Sequence, residues 1–398
     1  MNPDPKPQTP ALVEKVTHNL ATRARWGGWE YAFWLAAFAS IVVMGGWWAD
    51  ISPLFANRHL ILTEIAWLAL FALSLDLILG YAGIISLGHA AFFGLGSYVA
   101  ALLAKHAIVN EPVLALVVSG LAAAVLGFAT SFLVLRGSDL ARLMVTLGVA
   151  LIMREIANQI PDITGGADGL QGVTIAPILG TFQLDIFGHV AYTYCLIVLF
   201  VLFLLARRIV YSPFGLSLRA VKGNPLRSSL IGIPVDVRLV GVYTFAAFYA
   251  GVAGALLAQT TAFASLDVFS FERSADLLLV LIIGGTGYLY GGLIGAVAFK
   301  LIQDSLATFD PQYWQYWIGL LLVFLVLFGR IYGAIIAALI FAVARWLQLS
   351  FFECALIMLA IGLGYGHIQK GLKLLDGAIA RLVGHARSAT PMLAHRKP

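Results

Sequence analysis

The chain has 398 residues, 61% of them hydrophobic and only 11% charged, with a mean hydropathy of +0.91. A soluble domain carries about a quarter charged residues, so a water-soluble module is excluded. The net charge of +5 lies in loops that belong on one side of a membrane, which excludes a nucleic-acid partner.

Residues 1–28 form an arm with Pro3, Pro5, Pro7 and Pro10 and the bases Lys6, Lys15, Arg23 and Arg25. The span that follows lacks a small-residue cleavage pattern and reads as retained rather than as a signal peptide. Apolar spans are expected at 31–49, 59–79, 85–104, 113–135, 140–157, 190–207, 238–260, 276–286, 290–307, 314–329, 331–349 and 352–366. Most approach the ~20 residues needed to cross a hydrocarbon core about 30 Å thick, while 276–286 is short. Regular ten-residue alternation, the mark of a β-barrel, is missing. The fold class is therefore all-α, a polytopic transmembrane bundle of about 10–12 membrane segments. The Gly-rich stretch GGTGYLYGG at 284–292 reads as a break within one re-entrant element. Cys195 and Cys354 both fall in apolar spans and read as packing residues.

Charge gives the orientation. The loop 158–189 holds Asp162, Asp168 and Asp185 without a Lys or Arg, so it belongs outside. Residues 207–238 hold Arg207, Arg208, Arg219, Lys222, Arg227 and Arg238 against Asp236, so they belong in the cytoplasm. The tail after His367 is also basic, and both termini are expected inside. In TGGADGL at 164–170, Gly165, Gly166 and Gly169 permit positive φ, suiting a lid or a contact for a binding protein.

GYAGIISLGHAAFFGLGSY at 80–98 carries Gly80, Gly83, Gly88, Gly94 and Gly96, with Ser86 and His89 among them. Small residues allow close helix packing. A broken helix facing a wet cavity fits the same residues, since intramembrane ionisable groups turn to the protein interior. Ser86, Gly88, His89, Phe92, Thr146, Glu155 and Asn158 are the candidates for a solute path. Arg154 and Glu155 also fit a local ion pair. Asp76 and Asp276 each open a D-L-x-L pattern followed by glycines, a hint of two related halves.

The stretch SPFGLSLRAVKGNPLRSSLIG at 212–232 is polar within a greasy chain. Ser212-Pro213 starts a helix, Asn224-Pro225 restarts one, and Gly232-Ile233-Pro234 stops it. Phe214, Leu218, Val221, Leu226 and Leu230 would form an apolar face that wants a partner. A basic loop drawn to anionic lipid head groups is the plainer reading. The chain contains no GK dipeptide, so it has no Walker A loop, and HExxH and CxxC are absent too. An integral membrane enzyme therefore lacks its constellation.

Four segments together carry a resemblance: 80–103, LMVTLGVALIMREIANQIPDITGGADGL at 143–170, 212–233, and DLLLVLIIGGTGYLYGGLIGA at 276–296. In order and spacing the chain resembles the ABC-importer permeases of the branched-chain amino-acid uptake family, specifically the longer membrane subunit. The likeness spans roughly residues 55–330. It implies a permease domain within 29–330; beyond the likeness, the residues themselves suggest two extra hydrophobic helices at 331–366 and a basic cytoplasmic tail at 367–398. The resemblance also implies ABC ATPase subunits that bind ATP and Mg, a second permease, and a periplasmic or extracellular solute-binding protein, all at a bacterial inner membrane. No cofactor is expected in this chain. By the same resemblance 212–232 holds the coupling helix, with Phe214, Leu218, Arg219, Ala220, Val221, Asn224, Pro225, Leu226, Arg227 and Gly232 as contact residues. Leu226, Arg227 and Ser228 stand where older permease loops have a glutamate and two alanines. The alternative is an ion- or proton-coupled carrier, which would want paired acids among Glu64, Asp76, Asp276 and Asp304.

Overall fold

A computed structural model describes residues 27–45, 59–109, 111–183, 188–309 and 311–328. The arm before residue 27, the expected helices at 331–366 and the basic tail lie outside the described residues. Among the described residues twelve α-helices longer than one turn order the chain: α1 (Gly28–Gly45), α2 (His59–Ala82), α3 (Ala90–Lys105), α4 (Pro112–Val134), α5 (Asp139–Gln159) and α6 (His189–Val210), then α7 (Pro213–Gly223), α8 (Pro225–Leu230), α9 (Val235–Thr261), α10 (Phe271–Gly284), α11 (Leu289–Phe309) and α12 (Trp314–Phe328). Among the described residues β pairing is confined to two isolated bridges, Leu170 with Ala264 and Ile178 with Phe182.

Among the described residues four helices, α2, α4, α6 and α9, are long and apolar enough to cross a membrane. The pair α10–α11, bent by 111° at its break, makes a fifth if counted as one span. The protein is thus a polytopic helical membrane protein, and the break expected at 284–292 is present. Full crossings among the described residues are fewer than the expected segments. The stretch 85–104 is unwound in its first residues, the pair at 276–307 is bent, and two segments fall beyond residue 328.

The chain divides into compact units of residues 1–302 and 303–398. The second contains α12 and the end of α11. The expected boundary at 330 lies outside the described residues.

Within the first unit α2 and α9 are central. Their most apolar windows are 83% and 72% buried inside the protein, against 39% for α4 and 44% for α6. Since lipid gives no hydrophobic drive between helices, contact depends on close approach. Gly96 of α3 faces Gly251 of α9, where an added Cβ would fall on the Gly251 carbonyl. At the same crossing a Cβ on Gly254 would strike the Phe93 carbonyl. On the other side of α2, α1 meets α6 through Trp34, whose ring lies 4.7 Å from that of Phe200 and 5.1 Å from that of Phe203. A buried ion pair, Arg207 with Glu30 at 2.6 Å, closes that contact. Removing either partner would strand a buried charge.

The contacts sort the helix ends into two faces. Glu30 with Arg207, Lys222 with Gly80, and Asp76 with Gly287 bring together the start of α1, the ends of α2 and α6, the α7–α8 pair and the α10–α11 break. Opposite lie the starts of α2 and α6, whose His59 and His189 rings meet at 3.9 Å. Also there, the Gln259 amide near the end of α9 donates to the carbonyl of Pro112 at the start of α4. The first face carries the six bases of 207–238, while the second carries Glu111, Asp162 and Asp168.

Gly96→Ala should cost about 1–3 kcal/mol, because two backbones must part. Gly148→Ala, with open space at its Cβ, should be neutral or slightly stabilising. Thermal melting of the detergent-purified chain compares the two.

Candidate functional site

α2 ends at Ala82, Gly83 takes φ +75°, and the chain stays non-helical until α3 begins at Ala90. Just before that start, His89 Nε2 meets Ser74 Oγ at 2.9 Å. Ser74 is eight residues from the end of α2, roughly 12 Å along the helix axis. The unwound segment 83–89 therefore runs back alongside α2, and α3 starts within the membrane's depth.

Backbone at that depth must find partners in the protein. The Ile84 amide donates to the Ile78 carbonyl at 3.0 Å, and the Leu87 amide to Thr146 Oγ1 at 3.3 Å. The Ala90 amide, at the open start of α3, donates to Ser274 Oγ of α10 at 3.1 Å. Three separate helices thus hold the segment. A Cβ on Gly88 would fall on the Thr146 carbonyl, so α5 lies directly against the unwound chain.

Of the expected path residues, Ser86, Gly88, His89, Phe92 and Thr146 come together here. All five are buried inside the chain. His89 has 0% exposure and stacks on Phe71 at 5.8 Å, with Phe92 edge-on at 5.4 Å. In this conformation they brace the break from within and line no open path. Glu155 and Asn158 do not join them. They lie roughly 14 Å and 18 Å along α5 from Thr146. Glu155 is exposed and accepts a bond from Gln159 Nε2 at 2.5 Å, so its partner is Gln159 rather than Arg154.

Two of the four acids considered for a coupled carrier are engaged separately: Glu64 pairs with Lys300, and Asp76 accepts from the Gly287 amide at 2.6 Å. Ser74 and Ser274 hold the break, yet the motif reading passed over them. The signal was present as S-L-D-L at 74–77 and S-A-D-L at 274–277. On the opposite face, Gly165, Gly166 and Gly169 do take positive φ, and the Leu170 bridge to Ala264 ties that loop to the chain after α9.

The second feature is the α7–α8 pair. Ser212 Oγ accepts from the Gly215 amide at 3.5 Å, and Asn224 Oδ1 from the Arg227 amide at 2.9 Å. Asn224 both ends α7 and caps α8, and Gly232 leaves the pair at φ +88°. The expected apolar face divides in two. Leu218 and Val221 are each 1% exposed, packed into their own chain, and Phe214 leans on Phe245 and under Arg238. Leu226, Leu230 and Ile231 are 71%, 79% and 75% exposed. Ala220, Pro225, Arg227 and Gly232 are exposed too. Arg219 lies over the rings of Tyr81 and Tyr211, at 5.2 and 5.8 Å. The pair is a rigid element, anchored on one side and bare on the other.

A broken span held by neighbouring helices, with a capped basic helix pair fixed at its end, defines a polytopic helical membrane protein. The chain belongs to the family described as branched-chain amino acid transport system / permease component, whose model matches residues 57–327. It is 28% identical over 283 residues to the high-affinity branched-chain amino acid transport system permease protein LivM of Escherichia coli (strain K12). It has the same identity to LivM of Salmonella typhimurium. The match covers 65% of this chain and 65% of the length of each relative. No solved structure matches it.

Thr146→Val keeps the shape but removes the acceptor of the Leu87 amide. It should cost about 1 kcal/mol and speed hydrogen exchange at that amide roughly fivefold. Unchanged exchange would mean the bond does not hold the segment.

Proposed function

We propose that this chain is a permease subunit of an ATP-driven importer for branched-chain or related amino acids, in a bacterial inner membrane. Hydrolysis would take place on separate ATPase subunits that bind ATP and Mg. A second permease would complete the solute path, and a solute-binding protein would deliver the cargo on the face of the 158–183 loop. Both termini then lie in the cytoplasm.

The observation that carries this reading is the division of the α7–α8 pair. A loop that only met lipid head groups would need neither two capped helices nor a packed inner face. Leu226, Leu230 and Ile231 stand bare beside Arg227 on the basic face of the protein. Apolar anchors ringed by charge are what a docking groove on a soluble partner takes up. The separate engagement of Glu64 and Asp76 speaks against an ion-coupled carrier.

Two experiments test it. Cysteines at Gln171 and Ser229, in a cysteine-free background, should react with an impermeant reagent from opposite sides of the membrane. Reaction from one side would defeat the orientation. Leu226→Asp places an unpaired charge in the proposed contact and should reduce co-purified ATPase at least tenfold, while Arg208→Gln with Arg227→Gln changes it little. The reverse order of effects would assign the pair to lipid.

A further inference from the structure

The pair α2–α3 and the pair α10–α11 are built alike: each first helix carries S-x-D-L, and each is followed by a short break. The two breaks are also held crosswise. Ser274 of α10 accepts the Ala90 amide at the start of α3. Asp76 of α2 accepts the Gly287 amide just before α11. Gly80 sits at the centre of this exchange. A Cβ there would overlap the Asp76 carboxylate and press on the Gly287 amide, so α2 and the second break touch backbone to backbone.

Lys222 of α7 adds the third member. Its Nζ donates to the Gly80 carbonyl at 2.6 Å, and its charge falls within electrostatic reach of Asp76. The Lys222 stem also lies against Gly83, the residue where α2 unwinds. One side chain from the α7–α8 pair therefore touches both the end of α2 and the start of the first break. Through Gly80 and Asp76 it reaches the second.

We infer that Lys222, Gly80 and Asp76 form a clasp that carries displacement of the α7–α8 pair to both helix breaks, with Lys222 and Asp76 as positioning residues for transport. The transport part rests on the importer reading; the mechanical part does not. Arg219 cannot substitute for Lys222, because its guanidinium lies over Tyr81 and Tyr211 instead. The exposed residues Leu226, Leu230 and Ile231 would feel the partner, and Lys222 would pass the movement on.

The test uses the full chain in inside-out vesicles, with Cys195 and Cys354 replaced by alanine and a reporter Thr286→Cys in the exposed α10–α11 turn. Maleimide labelling of the reporter should quicken at least fivefold in Lys222→Met and in Asp76→Ala. Lys222→Arg should stay near the parent, as should Leu230→Asp, which disturbs α8 without touching the clasp. A Lys222→Met rate within twofold of the parent would overturn the proposal, even if Asp76→Ala labels quickly. A second arm uses the reconstituted complex and measures solute taken up per ATP hydrolysed. Lys222→Met should lower that ratio at least fivefold while the bound ATPase stays at the parental amount. If ATPase binding and uptake fall together at an unchanged ratio, Lys222 is only structural and the proposal fails. If no ATPase binds the parent chain, the importer reading fails by itself, and the labelling arm still decides the clasp.

Discussion

Residues 83–89 are non-helical backbone within the depth of a membrane, where water cannot satisfy their polar groups. Each unpaired group there would cost several kcal/mol. Much else in the first unit follows from meeting that demand. α5 must lie close enough for Thr146 to reach the Leu87 amide, and α10 close enough for Ser274 to reach Ala90. α2 must present Ser74 to His89 at the same level. Helices with no hydrophobic reason to associate in lipid are drawn together by one polar obligation. The glycines then set how closely they can approach. Gly88 lets α5 lie on the unwound chain, and Gly96 lets α9 lie on α3.

The crosswise bonds between the two broken elements extend that logic. A break capped by its own neighbour could open independently. Capped by the first helix of the other element, it cannot move without stretching or carrying a bond from its counterpart. Ser274 and Asp76 occupy different positions of the same S-x-D-L pattern, so the exchange is related but not symmetric. Asp276, the counterpart of Asp76, is half-buried, whereas Asp76 has 0% exposure. Only the α2 end receives Lys222. The asymmetry places the basic helix pair against one break, with the other reached at second hand.

Much of this was legible in the residues. The long apolar spans stand out because α2, α4, α6 and α9 meet the membrane's length requirement almost alone. The caps of 212–232 were readable since Ser-Pro and Asn-Pro act within a single turn. The break at 83–89 was half-readable: five glycines in a short stretch signal either close packing or unwinding, and here they do both. Glu155 and Asn158 show the limit. They look like site residues because they are polar and near a span's end, but placement depends on the face of α5 they occupy, and that depends on which helices surround it. Ser274 fails in the opposite way. The repeated S-x-D-L pattern marked Ser274, but its role shows only once Ala90, distant in sequence, is found beside it.

The division of the apolar face on α7–α8 was not readable either. Phe214, Leu218, Val221, Leu226 and Leu230 look like one stripe, yet Asn224-Pro225 restarts the helix and turns the last two away from the first three. Had all five faced outward, the pair would present a larger apolar surface but be held by little more than its two chain connections. Had all five packed inward, nothing would remain for a partner. Burying Leu218 and Val221 while baring Leu226, Leu230 and Ile231 makes the element stiff with respect to the bundle and adhesive at its tip. Stiffness is the property that matters, since a flexible loop would absorb a push in its own torsions. Lys222, on the last turn of the buried half, is the point at which a push on the tip first meets the membrane helices.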